Sequence, residues 1–92
     1  LVLRASMNIS RLEQRALHVL ALGGRIIHDR SNGRKVTEIL CLTREGMVLS
    51  DCTLGVFQSL RRKRLIESRD GAPYRISIAG RRAVRAQLDN QG

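Results

Sequence analysis

The apolar positions near the start of the chain recur with the spacing of a helix. One side of the helical wheel carries Leu12, Ala16, Val19 and Leu20, and the opposite side carries Arg11, Gln14, Arg15 and His18. Ser10 and Glu13 have the spacing of a capping box, in which each side chain accepts a hydrogen bond from the other residue's backbone. Because Gly23-Gly24 supplies a stop signal, the pattern predicts a helix over about residues 11–22.

The pattern then changes to runs rich in β-branched residues, at 25–30 and 35–42. Between them lies Ser31-Asn32-Gly33-Arg34, and Asn-Gly tolerates the positive φ angles of a tight type I′ turn. These features predict a first hairpin. The next segment, 43–49, is compatible with a strand end, a loop or a short helix.

A second helix is predicted over about 52–64, because Ser50 or Asp51 can cap it and no proline or strand alternation follows. Its apolar arc consists of Cys52, Leu54, Val56, Phe57 and Leu60. Phe57 and Leu60 are therefore expected in the core. The other side carries Gly55, Gln58, Ser59 and Arg62, a polar strip of low relief.

A second hairpin, at about 66–78, is predicted from the turn around Gly71 and from an alternation of apolar and polar residues. The apolar members are Tyr74, Ile76 and Ile78, and the polar members are Arg75 and Ser77. A short terminal helix is expected over 81–88, followed by a disordered tail at 89–92. Residues 1–6, before Met7, are interpreted as an extension or an expression scar.

The order helix, hairpin, helix, hairpin, helix predicts an α+β fold, a single winged-helix-like domain spanning residues 7–88. The basic helix at 52–64 and the hairpin after it would be the recognition helix and the wing. The first hairpin stands where a winged helix normally has another helix, so docking in the major groove does not follow from the pattern alone.

Charge adds a requirement for an anionic partner. Lys and Arg number 17 against 8 Asp and Glu, giving a net charge of +9, and 15 of the 17 cations are Arg. Nucleic acid, an acidic protein surface or a nucleic-acid enzyme would each attract such a chain. Two cysteines without CxxC spacing and no apolar run of membrane length favour a cytoplasmic protein that does not engage a membrane.

The candidate partner- or nucleic-acid-binding residues lie on the second helix and the wing. They are Gln58, Ser59, Arg61, Arg62, Arg69 and Arg75. A helix end and an adjacent hairpin can straddle a phosphate backbone. The alternative interpretation is that cations in a last turn simply complement the helix dipole.

No residue set supports catalysis or a cofactor. The sequence has no Walker loop and no G-x-S-x-G motif, and neither His18 nor His28 has a ligand partner at metal-binding spacing. Cys52 at a helix start could form a thiolate, but its place on the apolar arc favours a buried thiol. We therefore predict a protein that is not an enzyme and needs no metal or cofactor.

From Met7 onward the chain resembles the YjhX family. The matching stretches are Asn8-x-Ser10-Arg11-x-Glu13-Gln14-Arg15, His18-Val19-Leu20-Ala21, Gly23-Gly24-Arg25-Ile26, Arg44-Glu45-Gly46, Asp51-Cys52-Thr53-Leu54, Pro73-Tyr74-Arg75-Ile76 and Val84-Arg85-Ala86-Gln87. The resemblance implies the toxin of a toxin–antitoxin pair that binds DNA topoisomerase I and blocks its action. It also implies an antitoxin partner, in some members an acetyltransferase-like protein.

Two functions therefore stand as alternatives. A topoisomerase I inhibitor acting by non-catalytic contact would bind the enzyme in the absence of DNA. A winged-helix DNA-binding transcriptional regulator would bind duplex DNA alone, with a steep dependence on salt.

Overall fold

Helices and short hairpins alternate along the chain in the computed structural model, which describes residues 8–29 and 36–90. Within that part the elements are α1 (Arg11–Ala21), β1 (Arg25–Asp29), β2 (Glu38–Leu42), α2 (Leu54–Arg62), β3 (Ile66–Glu67), β4 (Arg75–Ile76) and α3 (Ile78–Asn90). The predicted α+β class and the order of elements are confirmed. The turn expected at Ser31-Asn32-Gly33-Arg34 and the extension at 1–6 lie outside the described residues.

The capping box at the start of α1 forms as predicted. Ser10 N–H donates to Glu13 Oε1 at 2.7 Å, and Glu13 N–H donates to Ser10 Oγ at 3.2 Å. The predicted place of Leu12 on the core side is wrong, because its side chain is 42% exposed. The buried side is turned toward Leu17 and includes the charged Glu13, which a pattern of apolar positions does not count as core.

A backbone bridge joins the first hairpin to the second. β1 pairs antiparallel with β2, and Ile26 of β1 also exchanges two backbone hydrogen bonds with Tyr74, of 2.9 and 2.8 Å. Segment 43–49, left open by the sequence, is a turn closed by Thr43 and Met47, after which Val48 bridges back to Leu42. The segment before α2 and the segment after it are thus joined by backbone hydrogen bonds.

Helix α2 begins later than predicted. Its N-cap is Thr53, whose Oγ1 accepts from Val56 N–H at 3.3 Å, so the proposed caps Ser50 and Asp51 are wrong. Residues 49–52 instead form a turn, closed by a bond from the N–H of residue 52 to the carbonyl of residue 49. Phe57 and Leu60 are fully buried, as expected.

The second hairpin is shorter than predicted, because α3 starts at Ile78 and not at 81. Ser77 Oγ accepts from Gly80 N–H at 3.0 Å and so caps the helix. Ile78 is consequently 71% exposed, and its place in the strand alternation is wrong. Gly80 is required here because a Cβ would overlap the Leu65 carbonyl oxygen. The helix then continues to Asn90, two residues beyond the predicted end at 88.

The core lies between α1, α2 and the two hairpins. Its largest fully buried side chain is Phe57, whose ring meets the Tyr74 ring edge-on at 5.0 Å between centroids. Around them pack Leu17, Leu20, Ile26, Leu60 and Leu65. Because Tyr74 precedes β4 directly, this contact fixes the second hairpin against α2.

Candidate binding surface

The outer face of α2 presents polar and cationic side chains to solvent. Since Phe57 and Leu60 anchor the inner side, Gln58, Arg61 and Arg62 are turned outward, and all three are exposed. Gly55 lies on the same helix, is exposed and has no side chain; a Cβ there would meet Thr53 Oγ1 at 3.8 Å, an ordinary contact distance. A partner can therefore approach this face closely.

One of these arginines is held in place by the core. The Arg61 guanidinium carbon lies 5.7 Å from the centroid of the Phe57 ring. A cation over an aromatic face at this distance is attracted by the ring quadrupole, by about 0.5–1 kcal/mol at an exposed site. The charge of Arg61 is thereby kept along the helix surface.

Ser59 of α2 and Lys63, its C-cap, point inward, toward α1. The Ser59 hydroxyl donates to Glu13 Oε2 at 2.5 Å. The Lys63 ammonium donates to both Glu13 oxygens at 3.0 Å and to the Asn8 carbonyl at 2.5 Å. The hydroxyl of Ser59, one of the predicted binding residues, is therefore engaged in a hydrogen bond within the protein.

The Glu13 carboxylate is the centre of this network. Burial by itself would raise the pKa of the carboxyl, but hydrogen bonds from the Ser10 backbone, Ser59, Lys63 and the Ser10 side chain outweigh it and lower the pKa to about 2. The group is thus ionised at neutral pH. It ties the start of α1 to the last turn of α2, which gives the basic face a rigid support.

Helix α2 ends in an arginine with unusual backbone geometry. Arg64 has φ of 61°, in the left-handed region where glycine is usual. Its N–H donates to the Arg61 carbonyl at 2.9 Å, and Leu65 N–H donates to the Leu60 carbonyl at 3.0 Å, the pattern of a Schellman motif. The Arg64 side chain is exposed beside the α2 face.

Arg69 lies in the turn between β3 and β4, and its side chain is exposed. The Arg69 side chain is 86% exposed, and its Nη2 lies 3.8 Å from Glu67 Oε2, so this ion pair is too open to hold the side chain firmly. Asp70 and Gly71 follow with φ of 55° and 79°, which turns the chain back toward β4.

Arg75 is directed away from the turn and toward the end of α1. Its Nη1 donates to the carbonyls of Gly23 and Gly24 at 3.2 and 3.4 Å. These two carbonyls belong to the residues that follow the C-cap Leu22, so the cation lies near the C-terminus of α1 and complements its dipole. Arg75 therefore carries a structural contact that the sequence did not indicate, although the residue as a whole remains exposed.

Four of the six predicted residues, Gln58, Arg61, Arg62 and Arg69, are exposed without a strong internal contact, whereas Ser59 and Arg75 contact α1 and its end. Sequence reasoning missed Glu13 as an organising residue and treated Lys63 as part of the basic run. The capping box indicated the local role of Glu13, but its partner Lys63 lies 50 residues away. No local signal reveals that pair.

The two cysteines are free and buried, as predicted. The hydrogen bond between their thiols, together with burial, raises the pKa of Cys52 far above neutrality, so this thiol stays protonated. Among the described residues, no group of three or more His, Cys, Asp or Glu side chains is arranged to hold a metal ion.

Within residues 8–29 and 36–90, no helix combines the length and apolar character needed to cross a membrane.

Comparisons with known proteins place the chain among bacterial relatives of the same size. A family model described as "Putative toxin of bacterial toxin-antitoxin pair" matches residues 7–91. A UPF0386 protein of Cereibacter sphaeroides is 71% identical over 86 residues, 94% of this chain and 99% of the relative. UPF0386 proteins of Rhodospirillum rubrum and Brucella anthropi are 65% and 68% identical, covering 94% and 92% of this chain and 96% and 100% of the relatives. No solved structure shows significant similarity to it.

Proposed function

Since this chain belongs to the YjhX toxin family, we propose that it is a cytoplasmic toxin that binds bacterial DNA topoisomerase I and inhibits it by non-catalytic contact. The observation that carries the proposal is the exposed cationic face of α2, formed by Gln58, Arg61 and Arg62, together with the exposed Arg69 in the turn between β3 and β4. A net charge of +9 directs this face toward an acidic surface.

Inhibition by contact requires a surface that keeps its shape while bound. The network around Glu13 fixes the last turn of α2, and the Phe57 ring holds Arg61. Arg61 therefore loses less side-chain freedom on binding than a fully free arginine would, which favours affinity. Arginine forks on this face pair with enzyme carboxylates or occupy the path of the DNA strand.

The test reverses charge on the face and on the turn together. Arg62→Glu combined with Arg69→Glu should weaken inhibition of DNA relaxation far more than either single change, since one exposed pair contributes only about 0.2–1 kcal/mol. The matched control is Arg82→Glu with Arg85→Glu, which makes the same charge change at exposed positions of α3. Inhibition by the folded double variant at wild-type strength would place the function elsewhere.

A binding assay identifies the partner. The wild-type protein should co-purify with topoisomerase I after nuclease treatment, because the proposed contact does not need DNA. Loss of the complex on nuclease treatment would contradict direct protein contact.

The second candidate, a winged-helix DNA-binding regulator, is favoured by one specific observation. Ile26 of β1 bridges Tyr74 beside β4, so a strand that precedes α2 supports the hairpin that follows it, as in a winged helix. This function would be shown by tight binding to duplex DNA that falls steeply between two salt concentrations, with no effect on topoisomerase I.

A further inference from the structure

A groove of about 450 Å³ lies between α1 and α3, and we refer to it as the α1–α3 groove. Its apolar lining comes from three parts of the chain: Ile9, Leu17 and Val19 around α1, Leu49 before α2, and Ala83 and Val84 of α3. Leu17 belongs to the core, and the other five are partly buried against it. The groove is therefore an opening onto the core itself.

The rim of the groove is cationic and polar. Arg11, Arg15 and His18 are exposed along one side of α1. Arg15 lies 3.3 Å from Asp51, but both side chains are about half exposed, so this ion pair opens at little cost. An acidic partner can take the place of Asp51.

The cationic rim of the groove and the contact with α2 lie on different sides of α1. Glu13, which contacts α2, is two residues after Arg11, and two residues turn a helix by about 200°. The lining of the groove does not include Gln58, Arg61 or Arg62. The groove is therefore a second surface, separate from the proposed topoisomerase site.

The composition of the groove points to a protein segment. Nucleic acid binds polar, strongly cationic surfaces, whereas this floor is apolar. A small molecule needs a few convergent polar groups to orient it, but the polar side chains here stand on the rim, and the Gln14 amide already donates to the Ile9 carbonyl at 3.2 Å. An apolar centre inside a polar rim is the anatomy of a protein interface.

We propose that the α1–α3 groove is the antitoxin-binding site and takes an acidic amphipathic helix of that protein. The apolar face of the helix packs on Val19, Leu49 and Val84, and its carboxylates pair with Arg11 and Arg15. The proposal rests on the pairing of this family's toxins with antitoxins. It does not depend on which enzyme the toxin inhibits.

The test uses the antitoxin, identified as the product of a neighbouring gene that restores growth on co-expression and purified with the toxin. Titration calorimetry compares the wild type with Arg11→Glu/Arg15→Glu. We expect the affinity to fall at least about tenfold, because two attractive pairs become repulsive. Both substitutions are at exposed positions, and a Glu at position 11, in the first turn of α1, suits the helix dipole. The variant should therefore fold.

Two further variants separate the contribution of charge to antitoxin affinity from the contribution of the apolar floor. Arg82→Glu/Arg85→Glu makes the same change of net charge on the far side of α3, and should leave the affinity within about twofold. Val84→Ser removes apolar floor without changing charge, and should weaken the complex. Circular dichroism and melting curves establish that each variant is folded.

The result that would overturn the proposal is unchanged affinity in the folded Arg11/Arg15 variant, or an equal loss in the Arg82/Arg85 variant. Failure of the wild type to bind the antitoxin would also overturn it. Arg61→Glu/Arg62→Glu distinguishes this proposal from the proposed function: it should bind antitoxin normally while losing inhibition of topoisomerase I. A toxin that loses antitoxin through Arg11 and Arg15 but never inhibits topoisomerase I would support the groove and refute the proposed target.

Discussion

Helices α1 and α2 end in the same hydrogen-bond pattern with different residues at its critical position. At the end of α1, Gly23 N–H donates to the Leu20 carbonyl and Gly24 N–H to the Val19 carbonyl, both at 3.1 Å. Arg64 takes the position of Gly23 in the corresponding motif of α2. Both have positive φ, of 107° and 61°.

The difference lies in what each end does for the molecule. Glycine adopts positive φ without steric cost, whereas a residue with a Cβ pays about 1–2 kcal/mol. At the end of α1, the Arg75 side chain donates to the carbonyls of Gly23 and Gly24, so this end takes part in a contact within the protein. The end of α2 keeps an exposed cation at some cost in backbone strain, and Ser77, whose hydroxyl donates to the Arg64 carbonyl at 2.8 Å, holds it there. Strain retained at an exposed basic helix end is consistent with a binding role.

The largest expected effect comes from removing the charge that supports the α2 end. Glu13→Gln should lower the free energy of unfolding by up to about 3 kcal/mol at neutral pH, because the folded pKa of about 2 lies well below the ordinary 4.5. Urea unfolding at pH 7 measures the loss. Glu45→Gln, an exposed carboxylate in the turn before Val48, is the control.

The same pair of proteins gives a pH dependence of known sign. The folded pKa of Glu13 is depressed, so its stabilisation is complete above about pH 4.5 and is lost as the pH falls toward about 2. The stability gap between wild type and Glu13→Gln should therefore close across this range. A gap that stays constant down to pH 2 would contradict the assignment of Glu13 as an ionised hub.

The next effect tests the two helix ends directly. Gly23→Ala should cost about 1–2 kcal/mol, because alanine is strained at φ of 107° and its Cβ would lie 3.2 Å from Arg44 Cδ. Arg64→Ala should change stability by less than about 0.5 kcal/mol, since Arg64 already carries a Cβ at positive φ. If Gly23→Ala and Arg64→Ala lowered the free energy of unfolding equally in the same denaturation assay, the proposed difference between the two helix ends would be wrong.

A smaller effect of opposite sign is expected from Arg64→Gly. Relief of backbone strain should stabilise the fold by about 0.5–1 kcal/mol, while loss of the exposed cation weakens partner binding. Thermal unfolding and the DNA relaxation assay, run on one preparation, read out the two changes. Gain of stability without loss of inhibition would mean that Arg64 has no part in binding.

The smallest effect concerns the closing contact at the end of α1. Arg75→Met keeps much of the side-chain bulk but removes the donors to Gly23 and Gly24, and should cost about 0.3–1 kcal/mol. Arg69→Met, in the open turn, is the matched control and should leave stability unchanged. If Arg75→Met instead abolished inhibition with no change in stability, Arg75 would belong to the binding surface as first predicted.

The sequence by itself determined those features of the structure that depend on residues close together in the chain. The Ser10–Glu13 box spans three residues, and the burial of Phe57 and Leu60 follows from spacing within one helix. These local features were enough for the α+β class, the order of elements and the outward direction of Gln58 and Arg62. Local competition also explains one error, because the cap at Ser77 starts α3 where alternation predicted strand at Ile78.

Tertiary structure alone decided which cations remain available. Lys63 meets Glu13 across 50 residues, and Arg75 meets Gly23 across 52. In the sequence, Lys63 and Arg75 look the same as Arg62 and Arg69. Only the fold places the Glu13 carboxylate beside Lys63 and the Gly23 and Gly24 carbonyls beside Arg75. An ammonium or guanidinium group donates to whichever acceptor the packing places within hydrogen-bond distance.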